Sequence, residues 1–549
     1  MGQVRHTERS PIRSSARHVN APGRWRDSTR SYPGRSLAVP RSGKAHRKVR
    51  VTQEKSAEAI VGRRGRADSR AEHYQKVVQL MDSREMQRQP NTSTEGLVAN
   101  DRVKPAGSPQ APSISSASGA STPDVPTHQI MEAILDETNL KLALRRVCAN
   151  NGAPGMDGVS TEDFMDYLRT HWPTIRTQLR EGTYDPQPLR GVEIPKPTGG
   201  VRMLGIPTVV DRFIQQAILQ VLTPLFDPTF SDRSFGFRPG RSAHQAVRQA
   251  HRFAEDGAEW VVDLDLEQFF DRINHDILMA RVARRVQDPG VLRLIRRYLQ
   301  AGLMFHGVST PRTLGAAQGG PLSPLLANVL LDDLDKELER RGLAFVRYAD
   351  DAMIFVHSRR AGERVLASVT RFLDRALHLP VNQSKSAVDR LIRRPYLGFK
   401  FLKHRGQYRI GLSRDSLRRV KRRLRVLTDR HAPGRLAERI QQVNRYLAGW
   451  MGYFALVDTP TPLRDLDSWI RHRFRAMVWR RWKTFRTRLR ELRALGVKEW
   501  HAWELAMSRK GPWRIATGPL NSVLTVAYWD AQGLQRLLSL YETARLRWQ

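Results

Sequence analysis

The chain has 549 residues, with 92 Lys and Arg against 54 Asp and Glu, a formal net charge of +38 and a pI near 11.2. Charge of that size points to a polyanionic partner, no apolar run approaches the roughly 18 residues that would span a bilayer, and the arginine-rich start lacks the apolar core of a secretory signal. The single cysteine, Cys148, excludes a disulfide framework and any cysteine-rich zinc site, so a cytoplasmic, nucleoid-associated protein of several domains, with no membrane attachment, is the natural reading.

Residues 1–50 hold 13 Lys and Arg against 2 Asp and Glu. No sustained periodicity follows, and a Pro-, Ala-, Gly- and Ser-rich run from Pro105 to Pro126 closes the segment. Residues 1–128 are therefore predicted to be a basic, low-complexity and largely disordered extension. Asn150 to Ser160, NNGAPGMDGVS, is a glycine-rich turn. Val192 to Arg212, VEIPKPTGGVRMLGIPTVVDR, reads as two strands around a Pro-Thr-Gly-Gly turn and carries Lys196 and Arg202. A lysine point charge and an arginine fork suit phosphate oxygens; solvated surface charge is the alternative. Ser231 to Gln245, SDRSFGFRPGRSAHQ, brings Arg233, Arg238 and Arg241, side chains suited to backbone phosphates.

Trp260 to His275, WVVDLDLEQFFDRINH, begins as a strand in which Asp263 and Asp265 share a face. Helix capping or solvation accounts equally well for Asp263 and Asp271, whereas Phe269 and Phe270 would wall a site at Asp265. In Gln318 to Asn328, QGGPLSPLLAN, two glycines permit close backbone approach, and Pro321 and Ser323 precede a helical run of leucines. Apolar runs on both sides of Tyr348 to Asp351 predict a β-hairpin, with Phe345 and Tyr348 on one arm and Met353, Ile354, Phe355 and Val356 on the other. Its tip carries the adjacent carboxylates Asp350 and Asp351. With Asp265 as a distant partner they are a place for Mg²⁺, a hard cation held by one or two carboxylates together with substrate phosphates and used in pairs in nucleotidyl transfer. Leu379 to Val388, LPVNQSKSAV, contains Lys385. Pro395 to Phe401, PYLGFKF, is a short hairpin or a core strand.

Residues 411–493 hold 22 Lys and Arg against 7 Asp and Glu. Between Gly411 and Arg430, Leu417, Val420, Leu424 and Leu427 lie at helical spacing beneath Arg414, Arg418, Lys421, Arg422 and Arg425, with Ser413 as N-cap. A second helix runs through Ile440, Val443, Leu447, Trp450 and Phe454, and a third basic helix spans about Leu466 to Arg490. Three such helices would hold a duplex through phosphates, with steep salt dependence. The tail from Ser508, SRKGPWRIA, offers Arg509, Lys510, Trp513 and Arg514 for charge and stacking, or forms a packed terminal helix pair.

In their order these blocks resemble the reverse transcriptases encoded by bacterial group II introns, of the compact type without an endonuclease, from about Met131 to the C-terminus. The resemblance implies an α+β right-hand polymerase. Fingers and palm would occupy 129–402, an α-helical thumb or maturase domain 403–492, and a small DNA-binding-like element 493–549. It makes Asp265, Asp350 and Asp351 the ligands of two Mg²⁺ ions. Phe270 falls where the family places the bulky side chain that excludes a ribose 2′-hydroxyl, and Gln318 falls near the incoming nucleotide. Lys196 and Arg202 would clamp the triphosphate, and Lys385 would protonate departing pyrophosphate. Arg238 and Arg241 would contact template and primer, residues 395–401 would grip the primer strand, and Arg418, Lys421, Arg422 and Arg425 would lie on nucleic acid.

The implied activity is DNA synthesis on an RNA template from deoxynucleoside triphosphates, joined to binding of the parent intron RNA for splicing and mobility. No His-Asn-His arrangement or paired CxxC follows residue 490, so target cleavage would come from elsewhere. Relatives often begin near the position of Met131. Residues 1–130 are thus either a basic RNA-binding arm or an overcalled start, the latter favoured. A splicing factor with a vestigial palm is the first rival, and the three intact aspartates argue against it. A host-adopted reverse transcriptase in repair or defence is the second, distinguished by an absent intron in the flanking DNA.

Overall fold

The computed structural model describes residues 129–195, 199–305, 308–429, 431 and 433–546. The expected extension 1–128 and Lys196 lie outside the described residues. The chain enters through α1 (Ile130–Ile134), α2 (Glu137–Asn150) and α3 (Phe164–Glu181). Asp136 starts α2 by accepting the Thr138 and Asn139 amides, an N-cap that satisfies donors with no helical partner. A hairpin of β1 (Leu189–Pro195) and β2 (Val201–Ile206) leads to α4 (Val209–Phe226) and α5 (Ala243–Glu255). Ser242 and Gln245 close a reciprocal capping box on α5. Next come β3 (Trp260–Leu264), α6 (Phe269–Arg272), α7 (His275–Val282), α8 (Pro289–Gln300), β4 (Leu303–Phe305), β5 (Val308–Thr310) and α9 (Ser323–Arg340). The hairpin of β6 (Ala344–Tyr348) and β7 (Asp351–Val356) precedes α10 (Arg359–Phe372), β8 (Ala387–Arg390), β9 (Phe399–His404) and β10 (Gln407–Leu412).

The remainder is helical: α11 (Arg414–Leu427), α12 (Leu436–Phe454), α13 (Thr461–Arg481), α14 (Phe485–Ala494), α15 (Glu499–Met507) and four shorter helices to Leu546. Ser413 caps α11 as expected, accepting the Ser416 amide at 3.1 Å. The third basic helix is not continuous. It breaks after Arg481 because the Thr484 hydroxyl takes the Thr487 amide and starts α14 afresh.

A central antiparallel sheet runs β6-β7-β3-β8, with Leu264 opposite Ala352 and Tyr348 opposite Asp351. A second sheet, β2-β1-β4-β5, stands apart, and β9 pairs with β10. Alternation along the central strands divides the interior in two. Val262, Leu264, Phe345, Ala352 and Ile354 join a core with α1 to α4 and α7 to α10. Val261, Val346, Met353 and Phe355 join another with α5, β9, β10 and the C-terminal helices. The expected boundary at 492/493 falls inside this second core. Trp529 is buried against Phe474, with ring centroids 5.6 Å apart, the Tyr541 hydroxyl donates to Val457 O at 2.7 Å, and Asn444 Nδ2 donates to Gly533 O at 2.7 Å. Arg475, on the helix expected to present arginines outward, is buried and donates to Leu524 O and Ala516 O, each at 3.2 Å.

One polar group lies deep beside the β6-β7 hairpin. Arg347 is 1 % exposed and donates to both carboxylate oxygens of the fully buried Asp335 on α9, from Nε at 2.7 Å and Nη2 at 2.5 Å. Its Nη1 reaches Asn328 Oδ1 and Ala349 O, both at 2.9 Å. Removing one partner of such a pair leaves a buried, uncompensated charge, which costs about 3–5 kcal/mol. Asp335→Leu is therefore expected to lower the thermal midpoint sharply, and adding Arg347→Met to restore part of the loss, read by thermal unfolding of both variants beside the parent.

Candidate active site

Asp263, on β3, points to the same sheet face as Val261, and the alternation carries Asp265, just past the strand end, to that face too. Met353 and Phe355 of β7 share it with Asp351. One step beyond the printed pairing of Leu264 with Ala352, the antiparallel register sets Asp265 opposite Asp351. Asp350 stands beside them in the two-residue turn. Although water reaches Asp351 from the open side, crowding by protein atoms, then the charges of Asp263, Asp350 and Asp265, raise its carboxyl to about 7. Burial and then the Asp265 charge raise Asp350, while Arg202 and Arg347 oppose the shift. Burial also raises Asp263, opposed by Arg394, whose guanidinium lies 3.3 Å away.

Four carboxylates thus crowd one face, and among the described residues neither Asp350 nor Asp351 makes an ion pair. Asp265 Oδ2 is buried without a hydrogen-bond donor; Lys385 Nζ lies 3.1 Å from it as an ion pair, off the direction of a hydrogen bond. Surplus negative charge and an undonated carboxylate oxygen fit a hard divalent cation. Among the described residues no three His, Cys, Asp or Glu side chains form a ready metal cage.

The supporting backbone is tightly fixed. Asp265 N–H donates to Ser386 Oγ at 3.0 Å, and Asp265 O accepts from Asn382 N–H at 2.9 Å, so the segment carrying Lys385 also holds Asp265. Ala349 opens the acidic turn in the left-handed region, φ +58. Gly236 packs against it so closely that a Cβ there would lie 2.3 Å from Ala349 N. Asn328 Nδ2 donates to Gly236 O at 2.8 Å. Tyr396 lies buried near Asp351, and Leu397 and Gly398, φ +48 and +84, make the expected tight turn before β9.

Other expected residues are placed unevenly. Arg202 is exposed on β2, close enough for its charge to act on Asp350. Phe270 is half-buried against Phe269, ring centroids 5.1 Å apart, and Gln318 is half-buried. Gly319 and Gly320 approach the protein itself rather than leaving an open ledge: added Cβ atoms would lie 2.7 Å from Gly205 O and 2.4 Å from Gln215 Oε1. Arg238 is a correction. Its guanidinium is buried and donates to Asp227 Oδ1, Asp227 O, Ser231 O and Ser234 O, so four of its five N–H groups and its charge are spent on organising the loop. Arg241 pairs with Asp232 at 2.5 Å, and Arg233 donates to Leu343 O. What that loop exposes is Phe237, 54 % accessible, φ +58, its ring 6.3 Å from that of Tyr348.

On α11, Lys421 and Arg425 each sit 5.7 Å from the Trp469 ring, which Arg473 approaches to 5.2 Å. Arg418 pairs with Asp415, and Arg422 is exposed. The sequence reading missed Arg347, Asp335, Asn328, Gly236, Ser386 and Phe237. Only the FGF string, an aromatic on each side of a glycine, signalled any of them.

Residues 194–401 match the family described as reverse transcriptase (RNA-dependent DNA polymerase), and residues 417–496 match the group II intron maturase-specific domain. Protein YkfC of Escherichia coli K12 is 31 % identical over 328 residues, covering 52 % of this chain and 84 % of that protein. The group II intron-encoded protein LtrA of Lactococcus lactis is 35 % identical over 207 residues, 38 % of this chain but 34 % of LtrA, so the match spans about a third of that relative's length. A putative COX1/OXI3 intron 1 protein of Saccharomyces cerevisiae is 31 % identical over 203 residues, 36 % of this chain and 24 % of that protein. The matched polymerase segment contains the whole acidic face, Asp263 to Asp351, with the fingers hairpin before it and the maturase-specific segment directly after. The chain therefore belongs to the group II intron-encoded reverse transcriptases, an RNA-directed DNA polymerase fold of fingers and palm joined to a maturase domain.

Proposed function

We propose that this chain synthesises DNA on an RNA template from deoxynucleoside triphosphates and also binds intron RNA to promote its splicing and mobility. The observation that carries the first half is the gathering of Asp265, Asp350 and Asp351 on one open sheet edge with too few cations to balance them. Those three residues would hold two Mg²⁺ ions, which when bound activate the primer 3′-hydroxyl and offset charge at the triphosphate. Asp263 remains with Arg394 and adds to the local negative potential. Arg202, with Lys196, takes the outer phosphates, whose fork geometry an arginine matches. Phe270 walls the sugar, and Gln318 lies beside the base. The 3′-oxygen bonds to the α-phosphorus, the bond to the β-phosphate oxygen breaks, and Lys385, half out of the protein beside Asp265, gives its Nζ proton to pyrophosphate.

For the second half, the maturase-specific match and the cationic face of α11 support phosphate binding by Arg418, Lys421, Arg422 and Arg425 as part of a helical thumb. Trp469 holds Lys421 and Arg425 in position, so less side-chain freedom is lost when RNA binds.

Asp350→Asn is expected to reduce primer extension on an RNA template to background while leaving splicing assistance intact; loss of both would argue against two separable functions. Phe270→Val is expected to raise ribonucleotide incorporation relative to deoxynucleotides, measured with each triphosphate in turn. Asp351 supplies a pH test. Its folded value of about 7 lies above the unfolded one of roughly 3.9, so the cost of its charge is fully present above about pH 7 and is relieved as pH falls toward 4. In Mg²⁺-free buffer Asp351→Asn should raise the thermal midpoint at pH 8 and have no effect near pH 4, and a midpoint unchanged at both would remove the crowding argument.

A further inference from the structure

Helix α10 and the π-helical turn Leu373–Leu377 that continues it carry charge that the polymerase cleft cannot use. Gly362, Leu366, Val369 and Leu373 face the central sheet, Gly362 so closely that a Cβ would lie 2.5 Å from Val388 Cγ1. At 3.6 residues per turn, Arg360, Arg364, Arg371 and Arg375 fall about 180° around the helix from that row. All four are exposed, and among the described residues none makes an ion pair. The neighbouring α9 is different: Lys336 pairs with Glu339, and Arg340 and Arg341 with Glu337. On α10, Glu363 is taken by Arg359 at 2.9 Å. A merely solvated helix face interleaves both signs evenly; this one sets four guanidinium groups in line against one exposed acid, Asp374, that makes no ion pair among the described residues.

From Arg360 to Arg375 the row covers 16 residues, about 22 Å of helix, a length over which a nucleic-acid duplex presents phosphates repeatedly. Its supporting side chains belong to the core on the sheet face opposite Asp265 and Asp351, so nucleic acid lying in the cleft cannot reach it. The exposed large apolar residues include none between 359 and 378. That argues against stacking on single strands and for fork contacts to phosphates.

We propose that Arg360, Arg364, Arg371 and Arg375 form a second nucleic-acid surface, which takes the backbone of a double-helical segment of folded RNA while the cleft holds template and primer. This rests on the maturase reading, because a folded RNA is the polyanion that must be held outside the cleft.

The test uses the full-length chain with Arg360→Gln, Arg364→Gln, Arg371→Gln and Arg375→Gln together, and a companion with lysine at all four positions. Binding of a labelled RNA hairpin is titrated across a KCl series, with the cleft saturated by a short RNA template and DNA primer. The glutamine variant should bind at least about tenfold more weakly at moderate salt, with a log–log salt slope shallower by about two to four, since each lost phosphate contact removes close to one. The lysine variant should keep most of the affinity, and both should extend the primer as the parent does. Parental affinity and slope in the glutamine variant would overturn the inference. An equal loss for a DNA hairpin of the same stem would overturn the assignment to RNA. Absence of primer extension in the parent itself would strike instead at the polymerase function.

Discussion

The buried pair of Arg347 and Asp335 is the constraint on which the catalytic edge depends. Taking two charges out of water costs several kcal/mol for each ion, and it is tolerated here because four of the five guanidinium N–H groups are bonded: two to Asp335, one to Asn328 and one to Ala349 O. The last of these reaches into the turn that carries Asp350. Asn328 in turn holds Gly236 O, and Gly236 is pressed against the Ala349 backbone. The acidic hairpin, the loop before α5 and the helix after the paired glycines are therefore one rigid unit. The position of the carboxylates is set from behind by groups that touch no substrate.

That rigidity is needed because the front of the unit is electrostatically unfavourable. Like charges held together in a partly desolvated place oppose folding, and a stable fold accepts such a conflict where function requires it. The sheet confines the conflict to one face. Alternate residues of β3 and β7 go either to the acidic side or to the apolar core beneath α10, so the negative edge and the arginine row are kept a full sheet and helix apart. Without that separation the guanidinium groups would neutralise the carboxylates and leave the edge no affinity for a cation.

The acidic edge was legible because its signals are local: carboxylates two apart in one strand and adjacent at a hairpin tip, each flanked by apolar runs of the right length. Their register was not legible, since nothing within either strand says that Leu264 meets Ala352. Arg238 shows the limit from the other direction. An arginine in a polar loop has the chemistry for phosphate, but three carbonyls and a carboxylate of its own neighbourhood lie close enough to take four of its five N–H groups. Gly319 and Gly320 were read as sites of close backbone approach to nucleic acid, whereas the groups they press against are Gly205 and Gln215, more than a hundred residues earlier. The break between α13 and α14 turns on a single threonine cap, a small effect beside the helical periodicity on both sides of it. The expected domain boundary at 492/493 runs through a shared core, because Trp529 and Tyr541 supply apolar surface that α13 and Val457 bury, a long-range match invisible in the tail alone.

A net charge of +38 indicates a polyanion without saying where it binds, and the structure sorts the cations responsible. Arg238, Arg347 and Arg475 are internal, their charge spent on carbonyls and carboxylates. Arg340, Arg341 and Lys336 are balanced by acids on the same helix. On α11, Lys421 and Arg425 lie against Trp469, Arg418 pairs with Asp415 and Arg422 is exposed, whereas on α10 Arg360, Arg364, Arg371 and Arg375 are exposed and among the described residues make no ion pair. Of these, the exposed and unpaired cations leave a field that extends into solvent, because a paired charge is screened at the distance of its partner, whereas an unpaired row is screened over a Debye length of roughly 8–10 Å. Helix α11 packs with the core on one face of the central sheet, and the α10 row is carried by the core on the other. A polyanion lying along one face of the sheet leaves the other face open, so among the described residues these exposed cations form two separate surfaces.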